Sequence, residues 1–174
     1  MIEDPHRREM LKGLISKEWP KLQRFFRTKV ADADILDLVQ STFEAFLARK
    51  PDQAGAERAY LWGIARKQVL KYYERRRGSE PFDSSVHCAA EATRSPSSVI
   101  ADRNRLLVAL RSLPVDQQIA FELRHGEGLT LEETAEAVGV SLATVKRYLA
   151  QAEERLRAVL GAQADEVRAA YSEP

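Results

Sequence analysis

Four side chains in one C-terminal stretch, Thr144, Lys146, Arg147 and Gln151, have the chemistry to hold a polyanion and to read a base edge. Lysine and arginine pair with phosphate oxygens or donate to guanine O6 and N7, and a glutamine amide matches adenine in the same groove. All four face away from Val145 and Leu149, whose spacing of four marks the buried side of a helix. A second set joins a ring to two ammonium groups. Tyr60, Lys67 and Lys71 share one face of a helix predicted from about Glu57 to Arg77, a combination suited to a single nucleic-acid strand.

Such side chains work only on elements that aim them. Thr130-Leu131-Glu132-Glu133 is a capping box, so a helix starts there and runs through Ala135 and Val138 to a break at Gly139. Ser141 then serves as the N-cap of a helix that continues through Val145, Leu149, Ala152 and Leu156. Two helices around a glycine turn, with the small Ala135 at their crossing, form the helix-turn-helix pattern, in which the start of the second helix enters a major groove. The plain alternative is a structural corner with a solvated basic edge.

Upstream, the same periodicity predicts a helix around Arg8 to Val30, started or kinked at Trp19-Pro20, and another over Ala33 to Lys50. In the latter, Ile35, Val39, Phe43 and Phe46 line the buried stripe, while Asp37, Ser41, Glu44 and Ala48 lie opposite and Gln40 sits at the edge. The helix over 57–77 buries Leu61, Ala65, Val69 and Tyr72. Between Gly78 and Ala101 periodicity stops and Gly, Ser, Pro and Ala take over, about 24 residues that read as a linker between two modules. The second module opens with a helix over Asp102 to Leu113, stopped by Pro114, and a helix over Asp116 to His125. The expected class is all-α, with helical modules over residues 1–77 and 102–174 joined by a linker over 78–101.

Among 174 residues, 27 Lys and Arg against 26 Asp and Glu leave a net charge of +1. Residues 1–80 carry an excess of five positive charges and residues 102–174 an excess of three negative ones, so a DNA contact in the second module must be local. No apolar stretch reaches the length needed to cross a bilayer, and the first ten residues are rich in charge, so an intracellular, cytoplasmic protein without membrane insertion is expected. Cys88, the single cysteine, makes no internal disulfide, and with His6, His87 and His125 it offers no zinc spacing. No Gly-rich phosphate loop or clustered carboxylate set is present, so neither a cofactor nor catalysis is expected.

The chain resembles the extracytoplasmic-function (ECF) sigma factors, the small two-domain class of the sigma-70 family. In the first module the likeness rests on Asp37-Leu38-Val39-Gln40-Ser41-Thr42-Phe43 and Ala59-Tyr60-Leu61-Trp62-Gly63-Ile64-Ala65-Arg66. In the second it rests on Leu113-Pro114, on the segment from Leu123 to Ala135, and on Gly139-Val140-Ser141-Leu142-Ala143-Thr144-Val145-Lys146. The order of these motifs, the linker and the total length add specificity that each lacks alone. Ser41, Gly63 and Lys67 stand where the family commonly has Glu, Arg and Asn, and Arg147-Tyr148 replaces a frequent Ser-Arg.

That resemblance implies a sigma region 2 over 1–77 and a region 4 over 102–174, and a role in promoter-specific transcription initiation. Asp37 and Gln40 would dock on the β′ clamp helices of core RNA polymerase. Tyr60, Trp62, Lys67 and Lys71 would bind the promoter minus-10 element and assist its melting, although a tryptophan at such spacing is more often core. Ser141, Thr144, Lys146, Arg147 and Gln151 would bind the minus-35 element while the module touches the β flap. An anti-sigma factor is a further expected partner. The competing reading is a stand-alone helix-turn-helix regulator, which would footprint DNA without polymerase.

Overall fold

The computed structural model describes residues 5–48, 57–77 and 98–161. Among these described residues seven α-helices carry the fold: α1 (Pro5–Arg27), α2 (Ile35–Leu47), α3 (Glu57–Arg77), α4 (Ser98–Arg111), α5 (Val115–Phe121), α6 (Leu131–Val138) and α7 (Leu142–Leu160). A 3-10 turn over Asp32–Asp34 leads into α2, and a π-helical turn over Glu122–Gly126 follows α5. No strand occurs among the described residues. None of the helices described is long and apolar enough to cross a membrane.

In the first module α1, α2 and α3 close around aromatic rings. Trp62 meets Phe25 edge-on at 5.3 Å, and Trp19 stacks on Phe43 at 5.5 Å with the planes 2° apart. Ile35, Val39, Phe43 and Phe46 are buried as the spacing predicts, while Asp37, Glu44 and Ala48 are exposed. Full burial of one such apolar side chain contributes roughly 1.5–3 kcal/mol, so this stripe supplies much of the drive to fold.

α1 departs from expectation, because Pro20 lies inside one continuous helix and neither starts nor breaks it. Proline withholds one backbone donor from the helix. Its ring is exposed, with Leu22, Phe25 and Phe26 buried immediately after it, so apolar burial on the next turn offsets the missing hydrogen bond. α2 is shorter than the stretch predicted, and α3 has the predicted ends. α4 begins at Ser98, inside the range expected for the linker. His87 and Cys88 lie outside the described residues, as do residues 78–97 generally.

In the second module the predicted helix over Asp116 to His125 divides into α5 and the π turn, where the Glu127 amide donates to the Glu122 carbonyl at 2.9 Å. The wider turn is stabilised by Arg124, whose guanidinium donates to the Leu129 carbonyl at 2.8 Å. The two modules share one continuous apolar core, and α6 packs along α3.

Candidate nucleic-acid interface

Local chemistry sets the α6–turn–α7 unit. The Thr130 hydroxyl accepts from the Glu133 amide at 3.1 Å, and the Glu133 carboxylate accepts from the Thr130 amide at 2.8 Å, so both halves of the capping box are made. Gly139 ends α6 at φ 72°, in the left-handed region that disfavours side chains, and its amide donates to the Ala135 carbonyl at 2.9 Å. Ser141 caps α7 by accepting from the Thr144 amide at 3.2 Å.

With Val145, Leu149, Ala152 and Leu156 buried, α7 presents Ser141, Lys146, Arg147 and Gln151 to solvent, with Thr144 half-buried beside them. Thr144, Arg147 and Gln151 follow one another at steps of three and four and form a stripe, with Lys146 on its flank. Among the described residues no carboxylate forms an ion pair with Lys146 or Arg147. The Gln151 amide is oriented by its neighbour, accepting from Gln117 Nε2 on α5 at 2.8 Å. The sequence holds no signal for this Gln117 contact, since it depends on how α5 crosses α7.

On α3, Lys67 and Lys71 are exposed and Tyr60 is half-buried, its ring 6.1 Å from that of Phe46. Trp62 does not join them. Its side chain is fully buried, and its indole nitrogen donates to the Glu18 carboxylate at 3.2 Å, so its assignment to the minus-10 surface is corrected to the core of the first module. Two residues from Tyr60 on a helix, it points some 200° away, toward α1.

On α2, Asp37 and Gln40 are both exposed, and the Gln40 amide donates to Glu44 at 2.8 Å. Leu36 beside them is a large apolar side chain that is 59% exposed, on a face it shares with the exposed Leu47. The sequence reading does not single it out, although its place off the Ile35–Val39–Phe43–Phe46 stripe is the signal that finds it.

Between the modules lies a polar network. Lys29 and Glu122 form an enclosed ion pair. The Thr28 hydroxyl reaches the same carboxylate at 3.2 Å and Gln118 donates to it at 2.8 Å. Burial lowers the Lys29 ammonium pKa below its ordinary value, while the facing Glu122 charge and hydrogen bond oppose that fall. Tyr73 donates to the Lys29 carbonyl at 2.9 Å, and burial, then the nearby Glu122, pushes its phenol up to about 12.

Comparison with known proteins bears on both modules. Residues 103–156 match the family described as Sigma-70, region 4. The chain is 44% identical over 69 residues to the RNA polymerase sigma-E factor of Streptomyces coelicolor, a match covering 40% of this chain and 39% of that protein. It is 46% identical over 57 residues to the RNA polymerase sigma-E factor of Streptomyces antibioticus, covering 33% and 32%. Both matches span well under half of the relative's length. Its fold is that of the sigma factor RpoE of Bartonella quintana, solved in complex with the anti-sigma factor NepR, with a TM-score of 0.66 and 23% identity over 87% of this chain and 96% of that one. The likeness to the sigma-70 family read from the motifs therefore holds for the sequence of the second module and for the fold.

Proposed function

We propose that the chain is a promoter-specificity subunit of RNA polymerase, without catalysis of its own, acting in the cytoplasm. The observation that carries this reading is the α6–turn–α7 unit inside the region 4 match, with Thr144, Lys146, Arg147 and Gln151 on its open face. In this reading α7 enters the minus-35 major groove, Arg147 and Gln151 meet base edges, and Lys146 and the Ser141 end of the helix meet phosphate. Asp37 and Gln40 on α2 dock on core polymerase, with Leu36 adding apolar contact. Tyr60, Lys67 and Lys71 on α3 hold the opened minus-10 strand, the ring stacking a base and the lysines following the backbone. The first module spans residues 1–77, the second 102–174, and the connection between them passes the polymerase active-site channel. An anti-sigma factor is the proposed regulator, as the Bartonella complex supports.

The test is in vitro transcription with purified core polymerase on a genomic DNA library, paired with footprinting. Transcripts from a shared minus-35 and minus-10 pattern, with a footprint that needs core polymerase, are the expected result. A palindromic footprint from the chain alone would instead identify a stand-alone regulator.

A further inference from the structure

Gln151 continues the stripe of Thr144 and Arg147 on the open face of α7 and is exposed, yet its amide is not free to turn. Gln117 on α5, which packs against α7, donates from Nε2 to the Gln151 oxygen at 2.8 Å. Gln117 is 8% exposed and lies in the first turn of α5, so its own side chain is held by packing. Its side-chain oxygen has no hydrogen-bond partner among the described residues. A buried polar atom left unpaired costs stability that an apolar side chain of the same size does not. The amide at 117 is therefore not explained by stability, and the hydrogen bond it makes is to Gln151.

The same unpaired oxygen sets the orientation of the pair. Turned over, the Gln117 amide would bury two unpaired N–H donors where it now buries one oxygen, and an orphaned buried donor is the rarer and costlier fault. The Gln151 oxygen thus stays turned toward α5, and its nitrogen, with two donors, is the group left for a ligand.

That orientation matters in a major groove. An adenine edge offers an acceptor beside a donor, so a glutamine reads it only with both its oxygen and its nitrogen. A guanine edge offers two acceptors, N7 and O6, and a cytosine edge a donor alone. A side chain that only donates suits guanine best and cytosine least.

We propose, on the reading of α7 given above, that Gln117 is a positioning residue that sets base specificity. It holds the Gln151 oxygen, so α7 presents a donor and selects guanine in place of adenine at one minus-35 position. Being buried, Gln117 acts through Gln151, and Arg147 keeps its own position on the stripe.

Holoenzyme titrations on duplexes carrying each base in turn across the minus-35 element test this. Comparing the parent with Gln151→Ala finds the position that Gln151 reads. There the parent should prefer guanine to adenine about fivefold, the lower end of what a bidentate pair gives, because a single amide nitrogen makes the contact. Gln117→Leu keeps the bulk and frees the Gln151 oxygen, so adenine should gain until the guanine preference is gone. Gln117→Glu can only accept, so Gln151 should turn over, present its oxygen and favour adenine or cytosine. Preference at the position read by Arg147 should stay intact in Gln117→Leu, whereas a merely structural role would blur both positions.

A parent preference for adenine, a guanine preference that survives in Gln117→Leu, or blurring of both positions would overturn the proposal. So would unchanged profiles in Gln151→Ala while Arg147→Ala alters one position, an outcome in which α7 still reads the element. If neither substitution alters any position, the reading of α7 itself fails and the proposal fails with it.

Discussion

Lys29 and Glu122, 93 residues apart in the chain, meet as an ion pair with side chains 0% and 2% exposed, at the seam between the two modules. Two charges removed from water hold each other in place but gain little net energy, so removing one is far worse than removing both. Lys29→Met or Glu122→Gln should cost about 3–5 kcal/mol in urea unfolding. Lys29→Met with Glu122→Met should recover much of that, less the contribution of Gln118, which then loses its acceptor. A double variant no more stable than the worse single one would contradict this account.

Tyr73 should make the chain sensitive to alkali. Its phenol stays protonated to about pH 12 in the fold against 10.0 for the free group. Because the folded value is the higher, the associated stability is fully present below pH 10 and is lost as pH rises toward 12. Tyr73→Phe removes the hydrogen bond to the Lys29 carbonyl, costing about 1 kcal/mol at neutral pH, and should flatten the alkaline limb of the stability profile. Unfolding midpoints from pH 7 to 12 measure it, and parallel profiles for the two chains would exclude the assignment.

Arg147 and Lys146 should differ in what they read. A bidentate contact to guanine carries about 1–3 kcal/mol of discrimination, so Arg147→Ala should relax preference at one minus-35 position. Lys146→Ala should weaken all sequences alike and reduce the salt slope by about one phosphate contact. Holoenzyme titrations on single-base minus-35 variants at two salt concentrations separate the two, and unchanged profiles for both would refute α7 as the reading helix.

Asp37 and Gln40 lie on an exposed face of α2, so replacing both with Ala should leave the free energy of unfolding within about 0.5 kcal/mol of the parent's. Retention on immobilised core polymerase should nonetheless fall. Retention equal to the parent's would show that this surface is not the docking face.

What was legible in the sequence was short-range. The capping box at Thr130 and Glu133, the left-handed turn at Gly139 and the Ser141 cap each depend on atoms within a few residues, so their chemistry can be read from order alone. The buried stripes of α2 and α7 follow equally from a fixed helical period. The π turn after α5, the passage of α1 through Pro20 and the start of α4 at Ser98 escaped, because each balances a local preference against packing. Trp62 suits a core or a nucleic-acid surface equally well by type, and the nearness of Phe25 and Glu18 decided it. Tertiary structure alone brought Lys29 to Glu122 and Gly63 to Ala137, since a helical period says which face is apolar or polar but not which distant segment will cover it.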